Sequence, residues 1–175
     1  MREKIKPSLV LMIICIASSL LLVLAHEATK ENIAEQKIKK FQTSVEALFG
    51  ECEYNLLESN FGEDDITAIA VTADGRTAFR MSVDGYEKDG IEVLIGIDQE
   101  GAVCGIEFVS LKETPGVGSK IRDEDSFCRQ FIGVSSAGEN FDAITGATYS
   151  SRGMISAVDK ALEVYSENKE AILNG

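Results

Sequence analysis

The fold is decided by residues 66–111, which read ITAIAVTADGRTAFRMSVDGYEKDGIEVLIGIDQEGAVCGIEFVSL. Runs rich in Ile, Val and Phe are separated here by turn signals at Asp74-Gly75, Asp84-Gly85, Asp89-Gly90 and Asp98–Gly101. Short apolar runs between such turns are typical of an antiparallel meander. The predicted strands are Ile66–Ala73, Thr77–Val83, Ile91–Ile97 and Ala102–Leu111.

Helical patterns lie on both sides of this predicted sheet. Residues 27–49 have apolar positions at spacings of three to five, and Gly50 is expected to end that helix. The members of this face are Ile33, Ile38, Phe41, Val45 and Leu48. A short helix is predicted near Asp123–Phe131. The order of helix, strands and helix predicts one α+β domain.

The clearest helical pattern comes last. Its apolar face consists of Met154, Ile155, Val158, Ala161, Leu162 and Tyr165. Ser150 and Ser151 stand where residues that cap a helix are expected.

An uncharged stretch of 18 residues, Ser8–Ala25, precedes the domain. As a helix it is about 27 Å long, close to the roughly 30 Å of a bilayer's hydrocarbon core. Basic residues come before it and acidic residues after it, so we expect a cytoplasmic N-terminus and an extracytoplasmic domain in the cell membrane. A cleavable signal peptide ending near Ala25 is the alternative, and it exports the same domain.

These patterns divide the chain into five predicted regions. They are a cytoplasmic N-terminus (1–7), a transmembrane helix (8–25), a membrane-proximal helix with the first strands (26–84), a domain core (85–168) and a C-terminal tail (169–175).

Charge and composition exclude several functions. The chain holds 17 Lys and Arg against 29 Asp and Glu, a net charge of −12. Residues 1–25 carry +2, so the remainder carries −14, which excludes nucleic-acid binding. The single histidine, His26, lies beside the apolar segment, so neither a metal site nor catalytic residues are predicted.

The four cysteines stand at 15, 52, 104 and 128, without metal-like spacing. Two alternatives stay open for the exported cysteines: one disulfide among Cys52, Cys104 and Cys128, or three free thiols. Cys104 and Cys128 are predicted to be core thiols rather than redox partners.

Two polar segments containing glycine interrupt the scaffold. Lys112–Ser119 reads KETPGVGS, and residues 142–151 read DAITGATYSS directly before the last helix. Hydroxyls and small residues at the start of a helix suit an anion such as phosphate. The alternative is that the first segment is an ordinary connection and that Thr148, Ser150 and Ser151 only cap the helix.

These two segments resemble the motifs of the covalent FMN-binding domain family. Asp142-x-x-Thr145-Gly146-Ala147-Thr148 is similar to the family's D-x-x-[ST]-G-A-T motif, and Glu113–Gly118 to its E-T-P-G-[LV]-G loop. In that family, a flavin transferase joins the FMN phosphate to the last threonine of the motif. The turn Gly85–Gly90 departs from the Gly-Tyr-Gly-Gly-like turn of many members, so no contacts are assigned to it.

The resemblance implies a set of site residues. Thr148 carries FMN through a phosphodiester, and Asp142 belongs to what the transferase recognises. Residues expected to contact the cofactor are Glu113, Thr114, Gly116, Val117, Gly118, Thr145, Gly146, Ala147 and Ser150. Glu113, Thr114 and the backbone of Gly116–Gly118 are assigned to the isoalloxazine or ribityl portion.

The whole chain resembles the G subunit of the Rnf-type ferredoxin:NAD⁺ electron-transport complex. The resemblance implies an electron-carrying component of an ion-translocating oxidoreductase, partnered by the other Rnf-type subunits, with no catalysis by this chain alone. Two alternatives stay open. One is a flavin carrier in another exported chain, such as the C subunit of the sodium-pumping quinone reductase, and the other is an exported binding or scaffold domain without flavin.

Overall fold

The computed structural model describes residues 2–57 and 61–174. The helices are α1 (Arg2–Phe49), α2 (Lys120–Asp123), α3 (Asp125–Arg129) and α4 (Thr148–Asn174). The strands are β1 (Tyr54–Leu57), β2 (Ile66–Thr72), β3 (Thr77–Val83), β4 (Ile91–Ile97) and β5 (Val103–Leu111). The chain divides into two compact units, one up to Phe41 and one from Gln42 onward.

The first unit is helical and contains the predicted membrane segment. Within the described residues, Ser8–Lys30 is the one helical stretch long and apolar enough to cross a membrane. Its large apolar side chains are exposed, as a helix surrounded by lipid requires. The predicted anchor lies inside this stretch. The predicted orientation across the membrane stays a prediction.

The predicted helical face over residues 27–49 is confirmed only in part. Phe41 and Val45 are buried, whereas Ile38 is 61% exposed. The side chain of Ile33 lies outside the described residues. Gly50 ends α1 as predicted: its φ is +81°, and its N–H donates to the carbonyl of Glu46 at 2.8 Å.

The second unit is built on one five-stranded sheet. The strands lie in the order β1-β2-β3-β4-β5, and each pairs antiparallel with the next. The predicted α+β meander is therefore confirmed, with β3 and β4 at their predicted bounds. The sequence analysis missed β1, which adds an edge strand before the four predicted ones.

One face of the sheet is covered by α4. The alternate residues Thr77, Phe79, Met81 and Val83 of β3 are all buried, as are the odd-numbered residues of β4. Tyr165 of α4 meets Phe79 edge-on, with ring centroids 6.4 Å apart. All predicted members of the α4 face are buried except Ile155, which is partly buried.

The other face receives the last residues of α1. Gly96 and Gly105 are cross-strand partners of β4 and β5, and a Cβ on either one would lie within 3.0 Å of the Leu48 side chain. These two glycines therefore create the space into which Leu48 packs.

The helix boundaries differ from the predictions at two places. The short predicted helix near Asp123–Phe131 is two helices, α2 and α3, and it begins earlier, at Lys120. The predicted C-terminal tail is helical up to Asn174, after a kink at Asn168, and Ile172 is buried. Burial of the Ile172 side chain stabilises the last turns of α4.

Candidate functional site

The two polar segments fold into turns of the same form. The N–H of Val117 donates to the carbonyl of Thr114 at 3.1 Å, and the N–H of Ala147 donates to that of Ile144 at 2.9 Å. The third residue of each turn has positive φ, +74° at Gly116 and +84° at Gly146. A glycine is favoured there because it adopts this conformation without steric cost.

Each turn is fastened by a serine that follows it. The N–H of Gly116 donates to the Ser119 hydroxyl at 2.9 Å, and the N–H of Ile144 donates to the Ser151 hydroxyl at 3.0 Å. Both serines are buried. The predicted capping role of Ser151 is therefore wrong, because its hydroxyl holds the preceding turn.

The buried carboxylate of Glu113 joins three segments. Its Oε1 accepts the N–H groups of Tyr86 at 3.0 Å and Glu87 at 3.4 Å, and its Oε2 accepts the Ser150 hydroxyl at 2.6 Å. Glu113 is only 6% exposed. It therefore ties the 84–90 loop and the 112–119 loop to the first turn of α4.

The Glu113 carboxylate and its hydrogen-bond partners, here called the Glu113 junction, lie close to three glycines of the neighbouring loops. A Cβ on Gly118 would lie 2.4 Å from Glu113 Oε2 and 2.7 Å from Ser150 Oγ. A Cβ on Gly85 or Gly90 would also lie within 3.0 Å of the Glu113 carboxylate. A side chain is therefore excluded at Gly118 unless Glu113 and Ser150 move.

The N-terminus of α4 lacks a side-chain cap. The carbonyl of Ala147 accepts the N–H of Ser151 at 2.9 Å, which places Ala147 at the N-cap. Ser150 lies inside the first turn with its hydroxyl directed to Glu113, so its predicted capping role is wrong. Within the described part of the chain, no acceptor is paired with the N–H groups of Thr148, Tyr149 or Ser150. These unpaired donors favour an anion, since the helix dipole is positive at this end.

Several side chains around this helix start are open to solvent. Thr148 is exposed, and its hydroxyl has no hydrogen-bond partner among the described residues. Tyr149 and Tyr86 are 69% and 74% exposed, and their rings meet edge-on with centroids 6.4 Å apart. Val117, in the turn of the 112–119 loop, is 47% exposed. The site thus combines free backbone donors with exposed aromatic and apolar surface.

Asp142 lies at the start of the second polar segment and is exposed. Its backbone is held by the side-chain amide of Gln130, which follows α3: the amide nitrogen donates to the Asp142 carbonyl at 3.1 Å, and its oxygen accepts the Asp142 N–H at 2.9 Å. A cavity of about 340 Å³ lies beside it, lined in part by Phe127 and Ile144. No pattern in the sequence indicates this role of Gln130.

The cysteine thiols differ in their exposure to solvent. All four cysteines are free. Burial raises the pKa of the Cys128 thiol to about 11, and the thiol donates to the Ile121 carbonyl at 3.1 Å. Cys128 is therefore a structural thiol, as predicted. Cys104 is exposed, so its predicted place in the core is wrong, although partial desolvation raises its pKa.

The structure brings some predicted residues together and not others. Glu113, Gly118 and Ser150 form one junction. The remaining predicted contact residues, Thr114, Gly116, Val117, Thr145, Gly146 and Ala147, form the two turns. Asp142 lies against Gln130 instead. Sequence analysis missed Tyr86, Tyr149, Ser119 and Gln130. Of these four, only Tyr149 could have been indicated by the sequence, because it directly follows the acceptor motif.

Comparison with known protein families supports the predicted flavin-binding domain. Residues 85–163 match the family described as FMN-binding domain. The match covers the 84–90 loop from Gly85 onward, both turns and most of α4, so every segment tied by Glu113 lies within it.

The chain is also similar to proteins named as the G subunit of an ion-translocating oxidoreductase complex, over nearly its full length in two of the three reported below. The protein of Aliivibrio fischeri (strain MJ11) is 26% identical, with 96% of this chain and 93% of the relative aligned. That of Vibrio vulnificus (strain YJ016) is 29% identical, with 97% and 92% aligned. That of Pseudomonas aeruginosa (strain UCBPP-PA14) is 34% identical, with 51% and 48% aligned. The predicted resemblance to the G subunit is thereby confirmed.

Proposed function

We propose that this chain is the FMN-bearing, electron-carrying subunit of a membrane-bound, Rnf-type ion-translocating oxidoreductase, with FMN joined to Thr148 by a phosphodiester. The observation that carries the proposal is the start of α4, where an exposed threonine hydroxyl stands beside three N–H groups unpaired within the described residues. A phosphate attached to Thr148 would lie at the positive end of the helix dipole.

The residues of the chain fit such a cofactor. The N–H groups of Thr148, Tyr149 and Ser150 would bind phosphate oxygens. The exposed rings of Tyr86 and Tyr149, with Val117, supply an aromatic and apolar surface for the isoalloxazine. The backbone of the turn Thr114–Val117 and that of Gly118 are assigned to the ribityl side.

Two sequence assignments are refined in this proposal. Glu113 positions the site instead of contacting the flavin, because its carboxylate already accepts hydrogen bonds from Tyr86, Glu87 and Ser150. Ser150 contributes its N–H rather than its hydroxyl, which is donated to Glu113. When bound, FMN supplies reversible electron uptake and release, and the protein supplies placement.

Attachment requires a separate enzyme. A threonine hydroxyl is a weak nucleophile without a general base. No histidine is available in the second unit, because the only histidine of the sequence is His26. A flavin transferase is therefore the proposed partner in maturation, and the other Rnf-type subunits are the proposed partners in electron transfer. The exported side of the membrane is the proposed location of the domain.

Peptide mass spectrometry of the chain from its native membrane tests the attachment. We expect the peptide Phe141–Arg152 to carry the mass of FMN less one water, localised to Thr148. Thr148→Ala should abolish the modification, whereas Ser156→Ala should keep it, because Ser156 is an exposed hydroxyl of α4 outside both motifs. An unmodified wild-type peptide in cells that contain the transferase would reject the carrier function and favour a flavin-free domain.

A further inference from the structure

We propose that Gln130 positions the acceptor loop, residues 141–147, for attachment of FMN to Thr148. This inference rests on the proposed function. Gln130 lies outside both sequence motifs, at the end of α3, yet it makes two hydrogen bonds to the backbone of Asp142.

The geometry of the pair is specific. The Gln130 amide nitrogen donates to the Asp142 carbonyl, and its oxygen accepts the Asp142 N–H, as a neighbouring strand would do. A side-chain amide offers a donor and an acceptor side by side, which matches the two backbone groups of Asp142. The pair fixes the direction of the backbone at Asp142 and leaves its carboxylate exposed.

Gln130 is one of three anchors of the loop. Phe141, one residue before Asp142, packs on Phe131 with ring centroids 4.7 Å apart. At the other end, the N–H of Ile144 donates to Ser151 of α4. Residues Ala143, Thr145 and Gly146 beside these anchors are exposed. The loop is therefore held from beneath and displayed to an incoming enzyme.

The transfer that this loop serves forms a bond between Thr148 Oγ and the phosphorus of FMN. It breaks the phosphoanhydride bond of an activated flavin dinucleotide brought by the transferase, which releases a nucleoside monophosphate and the hydroxyl proton. A displaced acceptor loop lowers the rate of this step because the reacting groups must be aligned within a short distance. Electron transfer by the loaded protein does not depend on the pair.

The test compares Gln130→Met with Arg129→Met in the full-length chain, coexpressed with the flavin transferase and sampled over time. Met keeps the length of Gln but has no amide. Arg129, its neighbour, is exposed and pairs only with Asp125 among the described residues. We expect the rate of FMN attachment to fall about tenfold in Gln130→Met, as the loss of two hydrogen bonds predicts, and to stay unchanged in Arg129→Met.

Two further readouts separate positioning from stability. The melting temperature of unmodified Gln130→Met should match that of wild type within a few degrees, and its loaded form should keep the wild-type flavin potential. If Gln130→Met does not fold, Gln130→Glu, which retains the acceptor but not the donor, replaces it. Attachment at the wild-type rate in a folded variant would overturn the inference. Absence of FMN from the wild type itself would instead reject the proposed function.

Discussion

At the scale of single residues, Glu113 links the segments that build the site. It is a buried carboxylate that accepts hydrogen bonds from two backbone N–H groups and one hydroxyl. A carboxylate offers about four lone-pair sites, which explains how one side chain satisfies three donors. The 84–90 loop, the 112–119 loop and α4 therefore keep their relative positions through a single group.

Glu113→Gln should destabilise the protein. The amide has one acceptor oxygen, so its NH₂ group must face at least one of the former donors. We expect the free energy of unfolding to fall by about 1–3 kcal/mol. Denaturant titration of the detergent-solubilised chain measures this. Glu124→Gln, at an exposed carboxylate, is the matched control and should change the free energy little. Equal stability of both variants would show that the junction contributes nothing.

The sequence singled out the residues around Glu113 but not the contacts between them. Gly116 and Gly118 could be singled out because glycines beside Pro115 indicate a turn. The bond between Glu113 and Ser150 joins residues 37 positions apart, and no local pattern encodes such a contact. For the same reason Ser150 and Ser151 looked like caps, whereas one belongs to a buried network and the other holds a turn.

At the scale of helices and strands, the predicted bounds agreed with the structure where the hydrophobic pattern of the sequence was strong. The bounds of β3 and β4 were predicted because both are buried strands between Asp-Gly turns. β1 was missed because it is only four residues long and half-exposed at the edge of the sheet, where the apolar signal is weak. The α2 boundary was misplaced because the 112–119 loop turns directly into the helix.

The packing of α4 against the end of β3 provides a second test. A Cβ on Gly153 would lie 2.1 Å from the backbone carbonyl oxygen of Asp84. Gly153→Ala should therefore lower the free energy of unfolding, because overpacking costs about 1–3 kcal/mol and outweighs the gain of about 1 kcal/mol in helix propensity.

The control for this substitution lies in the same helix. Ser156 is exposed, so Ser156→Ala should change stability by less than about 0.5 kcal/mol. Thermal unfolding of the two variants in one detergent gives the comparison. A Gly153→Ala protein as stable as wild type would mean that α4 moves away from Asp84 without cost.

At the scale of the whole molecule, the charges on either side of the apolar segment predict on which side of the membrane the domain lies. The basic residues before Ser8 and the acidic ones after Ala25 predict an extracytoplasmic domain. Protease added to right-side-out spheroplasts should therefore digest the domain without detergent, while a cytoplasmic marker protein stays intact. Protection of the domain until the membrane is opened would reverse the proposed orientation.

The uncapped start of α4 also bears on attempts to engineer this protein. A stability-guided redesign would replace Ala147 by Ser or Asp, because a side-chain cap typically adds about 1 kcal/mol to a helix. Such a residue would occupy the N–H groups assigned to the phosphate, and an aspartate would also repel it. A cap that stabilises the isolated polypeptide is therefore one to avoid, since selection for thermostability and selection for a working cofactor oppose each other at this position.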